Sequence, residues 1–376
     1  MKNSLGTSVI FTLFGESHGK YIGGVLDGLA PGIEIDHAYI RRALDRRRAK
    51  GKLSTSRDEK DPYQLISGIK IDDKTGKEYS TGAPITVLIP NLDVKSSDYK
   101  EKSHLFRPGH ADYTAYKKYL GYQDSLGGGH FSGRLTAPLV VLGSICRKAL
   151  RDKGIVMASH IKKLASLEDR DLSSKEDLYL LEEMPFPVLD QEKMKEMKAY
   201  ILKMKEEGDS IGGLLQTIVT GLPVGLGDPW FSSLDSLLAR AIFSIPAVKG
   251  LNFGASYQFA EMKGSEANDP MYFKQGEVVF QTNHNGGING GISNGADLAF
   301  ETLVKPTPSI AKKQHTVDIV KKKDAILEIQ GRHDPAIIHR IREVIHATTA
   351  LVLCDLLAQS YGQHWIRKEE MEWNMD

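Results

Sequence analysis

Apolar residues recur along this chain with two different periods, and their alternation predicts a mixed α/β (α+β) fold. Over residues 36–48, Ile40, Ala43 and Leu44 share one helical face behind Asp36, a residue type that caps helix N-termini. Residues 135–150 are almost uniformly apolar, the mark of a buried helix. Helical periodicity returns over 232–245 and, at length, over 335–358, where Pro335 suits a first turn and Asp334 a cap. Shorter runs at 83–89 and 214–219 read as strands. The stretch at about 162–207 is rich in Lys and Glu and broken by Pro185 and Pro187. It is expected to be a charged, variable insertion of surface helices and loops on a single domain spanning 1–376.

Part of the pattern occurs twice. Gly28-Leu29-Ala30-Pro31-Gly32-Ile33 is answered by Gly221-Leu222-Pro223-Val224-Gly225-Leu226, each between an apolar strand and a helix. Ser80-Thr81-Gly82-Ala83 resembles Ser293-Asn294-Gly295-Ala296, and Arg107-Pro108-Gly109-His110 and Gly331-Arg332-His333-Asp334 each precede a helix. Two accounts are open: two degenerate copies of one α/β unit about a pseudo-twofold axis, or chance recurrence of short Gly-Leu turns.

Composition narrows the class. The chain has 376 residues, 41% hydrophobic and 26% charged, with a formal net charge of +1. That suits an ordinary soluble protein and argues against a dedicated nucleic-acid binder. Cys146 and Cys354 lie in apolar runs without CxxC spacing and read as buried thiols of a reducing compartment. No apolar run reaches the roughly 20 residues of a membrane span, and the N-terminus lacks the form of a signal peptide. A cytoplasmic protein without membrane or nucleic-acid partners is expected.

Candidate chemistry is clustered. There is no P-loop, no HExxH and no GxGxxG between strand and helix. His18 stands in Gly15-Glu16-Ser17-His18-Gly19 with little crowding around it. Asp45-Arg46-Arg47-Arg48 ends a predicted helix, with Arg57 beyond; the arginines either complement the helix dipole or clamp an anion. The Pro108-Gly109 turn projects Arg107 and His110, and Asp112 either orients the imidazole or caps the next helix. Gly127-Gly128-Gly129-His130-Phe131-Ser132-Gly133-Arg134 leads into a helix and suits an anion-binding nest. Lys305, Thr307, Ser309 and Arg332 are suitable phosphate donors, while the histidines lack zinc-site spacing, so no metal is expected. These residue types point to a small polyanionic substrate and acid-base chemistry.

In these same segments the chain resembles the chorismate synthase family. The matching blocks include FGESHG (14–19), DRRR (45–48), FRPGHADYT (106–114), EGDSIGG (207–213), KPT.SI (305–310) and GRHDP (331–335), in the family's order. The resemblance implies a β-α-β sandwich that assembles as a homotetramer. It implies 1,4-elimination of phosphate from 5-enolpyruvylshikimate 3-phosphate (EPSP) to give chorismate, needing reduced FMN without net redox change. It implies His18 as acid at the departing phosphate, His110 beside the flavin, and Asp334 as the carboxylate near flavin N5, with Ser17 and Ser132 in a proton network. Flavin contacts map to His130, Phe131, Ser132, Pro246, Ala247, Gly290, Lys305, Pro306, Thr307, Pro308, Ser309, Arg332 and Arg47. Substrate contacts map to Arg48, Arg107, Arg134 and Arg332. With no room for a reductase domain, reduced FMN is expected from a separate flavin reductase, NADPH serving only indirectly. Many members read GGGRSSARET where this chain has GGGHFSGRLT, so His130, Phe131 and Leu135 depart from the pattern. The alternative is a non-catalytic flavin or phosphate-ligand binder on the same fold; it would need the anion donors but not His18, His110 and Asp334.

Overall fold

Two antiparallel sheets lie on either side of a helical layer in this computed structural model, which describes residues 2–49, 51–54, 60–92, 104–172, 174–329 and 334–366. The first sheet contains β1 (Ser4–Leu5), β2 (Ile10–Gly15), β3 (Tyr21–Asp27), β4 (Gln64–Ser67) and β5 (Ile85–Pro90), in the spatial order β1-β2-β3-β5-β4. Helix α1 (His37–Arg47) follows β3; α2 (Asp112–Lys118) and the long α3 (Thr136–Asp152) follow β5. The second sheet contains β6 (Val156–Leu164), β7 (Leu167–Glu168), β8 (Gly213–Thr220), β9 (Val248–Phe253) and β10 (Leu298–Val304), in the order β9-β10-β8-β6-β7. Its helices are α4 (Lys175–Glu183), α5 (Gln191–Glu206), α6 (Leu234–Ile242) and α7 (Ile338–Tyr361).

The internal echo is structural. Setting aside β1, β7, the small hairpins and the inserted helices α2, α4 and α5, both halves run strand, strand, turn, helix, strand, strand, long helix. Both pair their strands in the order first, second, fourth, third. The echoed turns carry the same bonds. Ser80 Oγ accepts from Ile33 N at 2.9 Å and donates to Ala30 O at 2.6 Å. Ser293 Oγ accepts from Leu226 N at 2.9 Å and donates to Pro223 O at 2.6 Å. The third echo does not correspond: 107–110 precede the extra helix α2, whereas Asp334 precedes the long α7.

Helices α3 and α7 are buried on nearly every side because each lies between a sheet and the other helix. They cross closely: a Cβ on Gly143 would stand 2.5 Å from that of Ala347, so only glycine permits the approach. Buried free Cys146 and Cys354 sit on these two helices. No helix among the described residues is long and apolar enough to cross a membrane.

Three sequence expectations need correction. Residues 162–164 complete β6, and Phe186, Val188, Met197 and Ile201 join the main core, so 162–207 is more than surface decoration. Helix α6 is shorter than the expected 232–245 because Ser233 caps it and it ends at Ile242. Helix α7 starts at Ile338, not at Pro335, and its N-cap is Ile337. The chain stays non-helical there because tertiary partners hold the preceding residues: Thr307 Oγ1 donates to Asp334 O at 2.7 Å and Ile211 N to Pro335 O at 2.8 Å.

The helical layer encloses charge. Glu343 accepts from Arg46 Nε at 2.7 Å and Arg147 Nη1 at 3.3 Å. Burial pushes its carboxyl up, but Arg46, Arg342 and Arg147 outweigh that and bring it down to about 2. His339, on the same helix, is pushed down to about 3 by burial and then by Arg340. Unfolded, that imidazole takes a proton near its ordinary 6.5, so the unfolded state binds more protons as pH falls. Stability should therefore decline from about pH 6.5 downward, by about 2 kcal/mol at pH 5 from His339 alone, at about 1.4 kcal/mol per pH unit. Thermal melts between pH 7.5 and 5 check this, and His339→Gln should flatten the slope. A melting temperature constant across that range would contradict it.

Candidate active site

The turns and connections at one end of the sheets form a closed ring of contacts. It begins at the turn between β2 and β3, where Ser17 is fully buried and its Oγ lies 3.2 Å from His18 Nδ1. Ser17 N donates to Gly129 O at 3.2 Å, which brings the glycine run onto this turn. Gly128, with φ +96°, lies against the next histidine: a Cβ there would sit 3.3 Å from His110 Cε1. Gly109, beside His110, accepts from Lys305 Nζ at 2.5 Å. Two residues on, Thr307 holds the Asp334 carbonyl, and the Asp334 carboxylate accepts from Arg340 Nη1 at 2.6 Å.

The return path is ionic. Arg340 Nε donates to Arg47 O at 3.0 Å. Arg47 Nη2 pairs with Asp61 Oδ2 at 2.6 Å, and the other Asp61 oxygen pairs with Arg134. Arg134 Nε donates to Asn91 Oδ1 at 3.0 Å. Asn91 Nδ2 reaches back to Glu16 O at 3.0 Å and Gly19 O at 2.8 Å, closing the ring at the His18 turn.

Asp112 orients His110 rather than capping α2, whose N-cap is Ala111 without a side-chain bond. A carboxylate only accepts, so at 2.6 Å His110 Nδ1–H donates to Asp112 Oδ1, which leaves Nε2 as the nitrogen outside this pair. Arg107 grips the same carboxylate through Nε at 2.8 Å and Nη2 at 2.7 Å. Burial would raise the Asp112 carboxyl, yet the bonds from Arg107 and His110 hold it well below the usual carboxylate range. Asp61 behaves alike: burial is outweighed by Arg47 and Arg134, and its carboxyl is lowered.

The ring therefore brings together Ser17, His18, Arg47, Arg107, His110, Arg134, Lys305, Thr307 and Asp334. Arg48 pairs with Asp45 at 3.2 Å beyond the C-terminus of α1. Ser132 Oγ caps the short turn Gly133–Leu135 by accepting from Arg134 N at 3.3 Å. The departures from the family pattern have visible partners. His130 Nδ1 bonds Gly15 O at 2.8 Å, exposed Phe131 packs on Tyr119, and Leu135 is buried in the core. Pro246 is exposed; Ala247 has φ +76°, a strained value for a residue with a Cβ, and accepts from Lys305 N at 2.9 Å. Gly290 turns the hairpin of Ile288–Asn289 and Ile292–Ser293, whose Gly291 packs on Ser233. Pro306, Pro308 and Ser309 continue the Lys305 segment, with Pro308 against Gly109. Arg332 and Arg57 lie outside the described residues. Sequence reasoning missed Asp61, Asn91 and Arg340. No motif marks them, and only a polar residue placed directly after the apolar run of β5 hinted at Asn91.

A family model described as chorismate synthase matches residues 9–358. A chorismate synthase of Pyrococcus abyssi (strain GE5 / Orsay) is 43% identical over 352 residues, covering 94% of this chain and 96% of that protein. One of Aeropyrum pernix is 41% identical over 358 residues, covering 95% and 93%. A crystal structure of chorismate synthase superposes with a TM-score of 0.72 at 27% identity, covering 95% of this chain and 94% of the other. The family match, these relatives and the shared fold define a carbon–oxygen lyase that acts on a phosphate ester. The chain belongs to the chorismate synthase family.

Proposed function

We propose that the closed ring of contacts is the active site at which this chain eliminates phosphate from EPSP, with reduced FMN as cofactor. The observation that carries this reading is the convergence of His18, His110 and Asp334, from three separate connections, on one cation-lined ring. A pure anion binder has use for the cations but not for that trio.

The residues present fit a phosphate-bearing planar cofactor. Gly128 leaves open the space beside His110 Cε1 that a Cβ would crowd, and Lys305 sets a cation next to it at the head of the segment that runs on to Ser309. Bound there, reduced FMN supplies the electron density that the departing phosphate requires. His18 gives its proton to the leaving phosphate, with Ser17 Oγ steadying Nδ1. His110, fixed through Asp112 at Nδ1, would have Nε2 available to the cofactor. Asp334 accepts the proton originating at C6, and Arg340 orients its carboxylate. Arg48, Arg107, Arg134 and Arg332 hold the substrate's anionic groups, while Arg47 and Arg134 are set in place in advance by Asp61. Around this site we place a single domain over 1–376, a cytoplasmic homotetramer, and a separate reductase that keeps the flavin reduced, with NADPH acting only through it. A hydrophobic core continuous across both halves supports the single domain.

The test is an anaerobic assay with EPSP and photoreduced FMN, following chorismate absorbance. Many turnovers per flavin are expected with the flavin still reduced at the end, and none with oxidised FMN. One flavin oxidised per chorismate formed would refute the reading.

A further inference from the structure

We infer that Asn91 is a positioning residue for the reaction, one that sets the His18 turn and couples it to Arg134; this rests on the reading of His18 as the acid. Asn91 is the first residue after β5, and its own N–H donates to Lys20 O at 3.1 Å. All the bonding capacity of its amide that matters here is directed at two site elements. Nδ2 donates to Glu16 O at 3.0 Å and Gly19 O at 2.8 Å, one on each side of Ser17-His18. Oδ1 accepts from Arg134 Nε at 3.0 Å. The amide orientation is forced, because carbonyls only accept and a guanidinium only donates.

Other bonds reach the turn, among them Ser17 Oγ to Leu126 O at 3.3 Å, but Asn91 is the side chain that binds a carbonyl on each side of Ser17-His18. Gly19 N donates to Glu16 O at 3.0 Å, and Ser17 N to Gly129 O at 3.2 Å. Without the amide, both flanking carbonyls lose a donor and the turn gains freedom at the position of the acid. Arg134 is held differently. It keeps Asp61 and the Pro90 carbonyl, the latter at 3.3 Å, whether or not Asn91 is present. Removing the amide should therefore disturb proton delivery far more than substrate charge recognition. No carboxylate or hydroxyl can replace Asn91 fully, since the position calls for two donors and one acceptor in one plane.

The experiment is steady-state kinetics of Asn91→Ala with EPSP and reduced FMN, alone and in a His18→Ala background, with melting temperatures recorded. Asn91→Ala should lower kcat roughly 10–100-fold, the scale of a misplaced catalytic group, with KM for EPSP changed less than about threefold. On top of His18→Ala the same change should cost less than about threefold, because the group it positions is already gone. If the alanine variant does not fold, Asn91→Asp keeps the shape and the Arg134 acceptor while losing both donors, and it is read the same way. A folded variant with kcat within twofold of the parent, beside a crippled His18→Ala, overturns this inference alone. So does a loss that multiplies in full with that of His18→Ala. A His18→Ala enzyme of normal turnover brings down the reading of the site and this inference with it.

Discussion

An Asp334→Asn variant should fold like the parent, bind EPSP and reduced FMN, and turn over roughly 10²–10⁴-fold more slowly, the usual cost of a lost acid-base group. A capping role would have predicted the opposite emphasis, lost stability with retained rate. The structure removes that competitor, because α7 is capped at Ile337 and the Asp334 side chain turns to Arg340 instead. Asn still offers a carbonyl oxygen to Arg340, so the link survives in weaker form. The pair is only about a fifth exposed, but Asn retains a hydrogen bond to Arg340, so the stability cost should be small beside the loss of rate. What Asn cannot do is accept the proton. Thermal melts, ligand titration and turnover on one preparation separate the cases. Normal turnover would assign Asp334 to holding Arg340 and nothing more.

The second large effect is expected at His18. His18→Ala should slow turnover by roughly 10²–10⁴-fold with the fold intact. Ser17 keeps its bond to Leu126 O at 3.3 Å, and Asn91 keeps both ends of the turn, so the substitution removes a working group rather than a support. A circular dichroism spectrum and melting temperature like the parent's are expected alongside the rate loss. If the variant keeps a near-normal rate, His18 is a turn residue and the acid must be sought elsewhere on the ring.

Helix α1 was legible in the sequence because its signals are local: Asp36 caps Tyr39 N at 2.8 Å, as its residue type suggested. The start of α7 was misread for the opposite reason. Pro335 and Asp334 carry the local marks of a helix start, but partners on Thr307, Ile211 and Arg340 hold the chain out of the helix. Residues 162–207 were misread because many Lys and Glu residues obscured Phe186, Val188, Met197 and Ile201, which reach the core. At the site, Arg47 and Arg134 stood out as cations, yet nothing in their spacing says that Asp61 binds both. Residues that act through a distant partner leave little trace in one sequence, and Asn91, Asp61 and Arg340 are of that kind.

The repeated architecture has a consequence for how the site is divided. In the first half, β2 and β3 are joined by the short turn that carries His18. In the second half the matching gap, between β6 and β8, is filled by β7, α4 and α5. A duplicated fold would offer two equivalent centres, but only one of the two gaps is open in this way. That centre then draws on both copies: His18, His110 and Arg134 come from the first, Lys305, Asp334 and Arg340 from the second. On the proposed assignment of His18 as acid and Asp334 as proton acceptor, neither copy holds both by itself. Their spacing depends on how one copy seats on the other, and the tight crossing at Gly143 and Ala347, on the long helices that pack the two copies together, is part of that seating.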